Sequence, residues 1–342
     1  MRTLLQTSLA VLMTSVLVLA GCTDSKPTSG DAAAPAAPAT ASASKLKVVT
    51  SFYPLYEFSR NVAGDKADVV NLVPGGVEPH DWEPTAQDMK RIQESGVFVY
   101  NGAGMESWVD KALDSVKQDK TIIVEASKDL ELMEGTGEDG HDHDHAHDHD
   151  HDGKEEKDAK DHDHAEEKGM DPHVWLDPVL AQKQVKAIQA ALEKADPANQ
   201  EAYKKNADAY IAKLQELDGA FKEGLSGAKR KEFVTQHAAF GYLAKRYGLT
   251  QVPIAGLSPE QEPSPGEMGE IVQFAKEKQV KTIFFETLVA PKVAETVAKE
   301  VGAKTAVLNP IEGLTDKDKA DKLDYIGIMK NNLAALRAAL NE

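Results

Sequence analysis

The sequence predicts an α/β protein of two lobes, each a mostly parallel four-stranded sheet with flanking helices, joined by one long linking helix. Short apolar, β-branched runs alternate with helical segments in both halves of the chain, and a long helical region separates the halves. Such alternation is typical of parallel sheets that are covered on both faces. The length of 342 residues and the hydrophobic fraction of 41% are sufficient for two globular lobes.

The first lobe is assigned to residues 45–177. Apolar, β-branched runs predict its strands at residues 46–50, 68–73, 97–100 and 121–124. Helices are predicted between them at residues 53–63, 85–94 and 107–116.

The helical region that should link the lobes covers residues 178–225. Asp196-Pro197 interrupts it, and this pair is suited to the N-cap and first position of a helix. The second lobe, residues 226–342, repeats the alternation of strands and helices. Its strands are predicted at residues 232–235, 251–254, 282–285 and 305–308.

The N-terminal segment is typical of a secreted, anchored protein. Residues 1–21 have one charge followed by an apolar run, which predicts a signal peptide that is too short and too polar for a membrane-spanning helix. The sequence Leu-Ala-Gly-Cys at 19–22 resembles a bacterial lipobox, which implies that Cys22 becomes the lipidated N-terminus. A plain signal peptide with an incidental Cys is the alternative. Residues 22–44, rich in Ala, Pro, Ser and Thr, should form a flexible tether.

Residues 138–168 form an acidic, His-rich insert with 14 Asp and Glu against 4 Lys. This composition cannot bury enough apolar surface to order itself, so we expect disorder. Its imidazoles are expected to bind zinc with low affinity, either collecting the metal or sensing it; a merely solvated loop is the alternative. The insert histidines are His141, His143, His145, His147, His149, His151, His162 and His164.

Composition also excludes several classes of function. The net charge of −17 argues against a nucleic-acid partner, because no excess of Lys and Arg exists to neutralise phosphates. A single Cys excludes an intrachain disulfide and a zinc site with several thiolates. The chain lacks H-E-x-x-H and G-x-S-x-G motifs, and a catalytic zinc site would need a general base and an open position for water. We therefore do not expect an enzyme.

Outside the insert the chain has three histidines, His80, His173 and His237, and each falls at a loop or at the end of an element. Glu286 closes the predicted strand 282–285. Individually each residue could serve as a helix cap or as a partner for a backbone group. Together, three imidazoles and one carboxylate suit a borderline divalent ion in tetrahedral coordination, for which zinc is the usual occupant. Parallel sheets bind ligands outside the carboxyl ends of their strands, where three of the four positions lie.

Five motifs resemble the metal-binding solute-binding lipoproteins of bacterial ABC transporters, in their zinc-importing branch, over residues 45–341. They are GGVEPHDWEPTAQD (75–88), DPHVWLDP (171–178), TQHAAFGYLAKRYGL (235–249), GLSPEQEPSP (256–265) and FFETLVAPKVAETVAKE (284–300). The resemblance implies two lobes bridged by a long helix. The zinc ligands that it implies are His80, His173, His237 and Glu286. Glu78 or a water is an alternative fourth ligand, in which case Glu286 would stand behind the ligands.

The resemblance implies capture of extracytoplasmic Zn²⁺ by a monomer and its delivery to the membrane subunit of an ABC permease. The protein would be lipid-anchored at Cys22 on the outer face of the cell membrane, or periplasmic. Manganese members of the family carry a carboxylate at the third motif, where this chain has His237, so zinc is favoured. A manganese-preferring member and a surface adhesin with a structural metal site remain as alternatives.

Overall fold

Eight parallel strands make up two four-stranded sheets in a computed structural model that describes residues 45–117, 119–135 and 169–342. The predictions for Cys22 and for the insert histidines lie outside these residues. The first sheet contains β1 (Leu46–Thr50), β2 (Ala67–Asn71), β3 (Val97–Tyr100) and β4 (Ile122–Glu125). The second sheet contains β5 (Glu232–Thr235), β6 (Thr250–Pro253), β7 (Thr282–Phe285) and β8 (Lys304–Val307).

The strand order is the same in both sheets: β2-β1-β3-β4 in the first and β6-β5-β7-β8 in the second. Every pairing between them is parallel, as the alternation predicted. Because the chain leaves the first strand of each sheet toward one side and returns on the other, a topological switch point lies between β1 and β3 and another between β5 and β7.

Ten α-helices surround the sheets in the described part of the chain. They are α1 (Tyr53–Ala63), α2 (Ala86–Gln93), α3 (Val109–Asp114), α4 (Pro178–Ala195), α5 (Gln200–Ser226), α6 (Gly241–Tyr247), α7 (Pro265–Glu277), α8 (Lys292–Val301), α9 (Asp316–Ala320) and α10 (Tyr325–Leu340). Within these residues no helix combines the length and the apolar character needed to cross a membrane.

The linking region consists of two helices, because Asp196-Pro197 breaks the helical run as predicted. The break is a 3₁₀ turn, Pro197–Asn199, whose Asp196 makes no side-chain cap, so the pair does not itself begin the following α-helix. The long helix is α5, which has 27 residues and packs against α4 and α1 on one side of the molecule and against α6 and α10 on the other.

The apolar face of α5 explains why it can join both halves. Its buried positions recur every three or four residues, the spacing of a single helix face. They are Tyr203, Ala207, Tyr210, Ile211, Leu214, Leu217, Phe221 and Leu225. This face belongs to one apolar cluster that includes residues of both sheets, among them Val48 and Phe284. The sheets are therefore held on a shared core, and their carboxyl ends carry the loops described next.

Candidate metal centre

His80 lies in the loop that follows β2. Its backbone N–H donates to both carboxylate oxygens of Glu78, at 3.1 and 3.0 Å, which fixes the chain direction at the histidine. Burial, together with the negative charge of Glu312, raises the pKa of Glu78 to about 7. Glu78 therefore supports the His80 loop and does not belong to the group of side chains that could hold a metal.

His173 lies immediately before the 3₁₀ turn Val174–Leu176, which leads into α4. One oxygen of Asp171 accepts from the His173 backbone N–H at 3.0 Å and lies 2.8 Å from its Nδ1. Because the carboxylate occupies Nδ1, the Nε2 atom is left for a ligand. The Tyr242 hydroxyl of α6 donates to the Asp171 carbonyl at 2.8 Å, and the Asn101 amide donates to the Pro172 carbonyl at 2.9 Å, so both halves of the chain hold the motif.

His237 follows β5 by two residues, and Glu286 is the first residue after β7. Since β5 and β7 are neighbours, their carboxyl ends bring the two side chains together. Glu286 Oε1 accepts from the His237 backbone N–H at 3.1 Å and lies 2.5 Å from its Nδ1. Glu286 thus orients His237 as Asp171 orients His173.

Glu312 enters the site from the loop that follows β8. Its Oε1 lies 3.4 Å from His80 Nε2, 3.3 Å from His173 Nε2 and 3.5 Å from His237 Nε2. The Nε2 atoms of His173 and His237 lie 3.2 Å apart. The second oxygen, Oε2, is buried without a hydrogen-bond partner. Four potential ligand atoms therefore converge within 4.8 Å of one another.

The structure brings the three predicted histidines together with an acid other than the predicted one. Glu286 was expected as a ligand, but its carboxylate faces Nδ1 of His237, and the converging carboxylate is Glu312. Glu286 lies behind the imidazole of His237, an arrangement that the sequence analysis left open. Sequence reasoning missed Glu312 because it follows β8 by several residues. The available signal was a Glu between Pro310 and Gly313, in the loop after the last strand.

The spacing of the four atoms fits a tetrahedral zinc ion. Zinc binds His nitrogen and carboxylate oxygen at about 2.0–2.1 Å, so the corners of its tetrahedron lie about 3.3–3.4 Å apart. Four of the six separations between these atoms run from 3.2 to 3.5 Å, and all six lie within 4.8 Å. Three imidazoles and one carboxylate are also a usual donor set for zinc. The unpartnered Oε2 of Glu312 is consistent with a carboxylate that is arranged for an ion rather than for the protein alone.

Burial and the close contacts between carboxylates and imidazoles shift the pKa values of the side chains in this centre. Burial lowers the pKa of His80. Burial also opposes protonation of His173 and His237, but the facing carboxylates outweigh it; the pKa of His173 is raised, and that of His237 is raised to about 10. Burial alone would raise the pKa of Glu312, yet its hydrogen bonds to the three imidazoles hold it well below its usual range. The carboxylates thus favour positive charge at this place.

Comparison with known proteins gives the same picture. Residues 48–339 match the family model for the periplasmic zinc-uptake complex component A, ZnuA. The high-affinity zinc uptake system protein ZnuA of Bacillus subtilis (strain 168) is 51% identical over 296 residues, which are 86% of this chain and 88% of that protein. The zinc-binding lipoprotein AdcA of Streptococcus pneumoniae is 44% identical, and the match covers 87% of this chain but only 56% of AdcA.

A solved structure resembles the whole described fold. The Zn(II)-bound ZnuA-like domain of Streptococcus pneumoniae AdcA superposes with a TM-score of 0.70 at 42% identity, covering 87% of this chain and 100% of that domain. This chain therefore corresponds to about half of AdcA and to one complete structural unit of it.

Proposed function

The chain belongs to the ZnuA family of zinc-uptake components, and on that premise we propose that it captures Zn²⁺ outside the cytoplasm and delivers it to the permease of an ABC transporter. It acts as a binding protein and not as an enzyme. The proposed zinc ligands are His80, His173, His237 and Glu312.

One observation carries this proposal: a carboxylate oxygen of Glu312 lies 3.3–3.5 Å from three imidazole Nε2 atoms, in a buried site with no other partner for its second oxygen. Without a cation, this placement would leave costly buried polar groups poorly compensated. The imidazole majority favours zinc over manganese, which prefers carboxylate, carbonyl and water oxygens.

Capture and release follow from the origin of the ligands. His80 comes from the first sheet, His173 from the segment entering α4, and His237 and Glu312 from the second sheet. Zinc would therefore tie four separate loops together, and withdrawal of one loop would weaken its hold. Among the four side chains only His80 has exposed surface, 9% of its side chain, so it marks the opening through which the ion passes.

The remaining parts of the proposal rest on the sequence. Cys22 would carry the lipid that anchors the protein, as a monomer, to the outer face of the membrane, and residues 22–44 would tether the folded part. Two lobes, 45–177 and 226–342, would flank the linking region 178–225. Eight histidines of residues 138–168 would form a secondary, low-affinity zinc site.

The test is calorimetric titration of residues 45–342 with Zn²⁺, with Mn²⁺ in competition, beside a form without residues 138–168. We expect one tight zinc site per chain in both forms, and additional weak sites only when the insert is present. Because they remove a proposed ligand, His237→Ala and Glu312→Gln should each weaken the tight site by more than about 100-fold, beyond the usual effect of residues that merely support ligands.

Glu295→Gln, the same change at an exposed acid of α8, is the matched control and should leave the tight site unchanged. Disappearance of tight binding with the insert alone would show that the His-rich segment is the real receptor. A tight site that survives Glu312→Gln would exclude this carboxylate as a ligand.

A further inference from the structure

The loop that carries Glu312 has an unusual backbone. Residues 308–313, between β8 and α9, are buried throughout, so their polar groups must be satisfied inside the protein. Ile311, the residue before Glu312, has φ of +62°. Only glycine adopts this left-handed region freely, and a β-branched side chain is strained there. The surrounding structure must therefore hold the loop in place.

Asn332, near the middle of α10, supplies much of that hold. Its Oδ1 accepts from the Asn309 backbone N–H at 2.9 Å, and its Nδ2 donates to the Asn309 carbonyl at 2.7 Å. The side chain is buried, at 2% exposure. An amide buried within a helix is unfavourable unless its donors and acceptors are used, and here both are used on one residue of the Glu312 loop.

The next two residues of the loop are held by side chains as well. The Asn309 side chain accepts from the Ile311 N–H at 2.7 Å, which supports the left-handed turn directly. The Trp175 indole donates to the Pro310 carbonyl at 2.8 Å, and Trp175 lies two residues after His173. The backbone before Glu312 is thus joined both to α10 and to the segment that carries another proposed ligand.

We propose that Asn332 is a positioning residue for zinc capture: by gripping the backbone of Asn309, it holds the strained turn at Ile311 that places Glu312 among the three imidazoles. Asn332 is buried and contacts the loop, not the ligands. Its effect on zinc must therefore act through Glu312. This inference rests on the proposed function and deepens it.

The experiment is a double-mutant cycle in residues 45–342, in which Asn332→Ala and Glu312→Gln are made singly and together. Zinc affinity is measured by competition with a chromogenic chelator at less than one zinc per chain, so that only the tightest site is filled. The visible spectrum of bound Co²⁺ is recorded in parallel, because it reports coordination geometry. Asn331→Ala is the matched control: the same residue type, one position earlier on α10, and exposed.

We expect Asn332→Ala to weaken zinc binding about 10-fold when Glu312 is present, the size usual for residues that support ligands, and less than about 2-fold in the Glu312→Gln background. The Co²⁺ spectrum of Asn332→Ala should shift toward that of Glu312→Gln. Asn331→Ala should change neither. Asn332→Ser, which keeps a smaller hydrogen-bonding group, should fall between wild type and Asn332→Ala.

Equal weakening in both backgrounds, or an unchanged Co²⁺ spectrum, would overturn the proposal, since Asn332 would then act on the fold in general. Failure of both Asn332 variants to fold, even with zinc, would likewise assign the residue a structural role. If instead Glu312→Gln itself leaves tight binding intact, the ligand set of the proposed function is wrong, which is a different result from failure of the Asn332 inference.

Discussion

The two sheets have the same strand order, yet their switch points have different chemistry. In the second sheet the carboxyl ends of β5 and β7 hold His237 and Glu286, a proposed ligand and the acid that faces its Nδ1. In the first sheet the corresponding ends, β1 and β3, are followed by Ser51 and Asn101, which surround the carboxylate of Glu106. One switch point lies beside the side chains that could hold a metal, and the other is closed by the protein's own hydrogen bonds.

The Glu106 carboxylate is satisfied entirely by its neighbours. Its Oε1 accepts from the Ser51 hydroxyl at 2.6 Å and from the Asn101 N–H at 2.8 Å, and its Oε2 accepts from the Gly102 N–H at 3.1 Å. Burial outweighs these bonds and raises the pKa of Glu106 to about 7. A buried carboxylate at a switch point is therefore not evidence of a metal site; what distinguishes Glu286 is the imidazole opposite it.

The largest expected difference between the two switch points is the pH dependence that Glu106 gives to the free energy of unfolding. Its pKa is about 7 in the folded protein and near its ordinary value of 4.5 when unfolded, so the folded state favours the protonated form. The contribution is fully present below pH 4.5 and is lost as the pH rises through 7, a change of about 3 kcal/mol in the free energy of unfolding. Glu106→Gln should remove this contribution and leave those of other groups, such as Glu78.

Urea unfolding of the metal-free protein between pH 4.5 and 8 measures this pH dependence of the free energy of unfolding. The absolute stability of Glu106→Gln can fall, because the amide nitrogen would meet the Gly102 N–H, so the slope is the quantity to compare. Glu131→Gln, at an exposed acid of the same half, should keep the wild-type slope. A wild-type slope in Glu106→Gln would mean that Glu106 is ionised in the folded protein throughout this range.

A smaller effect is expected at the other switch point. Glu286→Gln keeps the shape of the side chain but removes the charge that faces His237 Nδ1, so zinc affinity should fall by about 10- to 100-fold. Competition with a chelator measures the change at constant pH. Asp171→Asn, which makes the same change behind His173, should have a similar effect. If Glu286→Gln matches the exposed control Glu295→Gln, the carboxylate does not tune the imidazole.

The smallest effect concerns the edge strands β2 and β8, each of which is followed by a loop that carries a proposed ligand. The loop after β2 ends at the capping box Thr85–Asp88 of α2, and the loop after β8 ends at the box Thr315–Asp318 of α9. Thr85→Ala and Thr315→Ala should each lower the free energy of unfolding by about 1 kcal/mol. Denaturant unfolding measures this loss of stability. A loss in only one of the two variants would show that the two loops are held differently.

A third capping box gives the control for zinc binding. Ser264 and Glu267 cap α7, which does not follow a ligand loop. Ser264→Ala should cost similar stability while leaving zinc affinity at the wild-type value. A marked loss of affinity in Ser264→Ala would mean that general loosening of the fold, rather than the ligand loops, controls the site.

Most of the fold could be predicted because its strands are apolar and its breaks are marked. β1, β3, β5 and β7, the central strands, have the predicted bounds, and most of their residues are buried. The bounds of the edge strands shift: β2 begins one residue early and ends two early, and β4, β6 and β8 each move by one residue. Burial pattern alone does not fix the ends of half-exposed strands.

The site was predictable where position along a strand determines it. His237 and Glu286 directly follow central strands, so proximity could be inferred, but which atom of Glu286 faces which nitrogen could not. The position of Glu312 depends on the left-handed turn at Ile311, which the residue types there do not predict. It also depends on Asn332, which is distant in sequence. Such tertiary control of a loop leaves no local periodicity to detect.

The pairing of the chain at Gly135 and Gly169 affects which changes in length the sequence between them can tolerate. The Gly135 N–H donates to the Gly169 carbonyl at 2.6 Å, Glu134 and Met170 form an antiparallel bridge, and the Asp171 N–H donates to Met133. Residues 133–135 and 169–171 are therefore paired with each other. The entropic cost of closing a loop rises only slowly with its length. Insertions, deletions or replacements between residues 135 and 169 should therefore leave His173 in place.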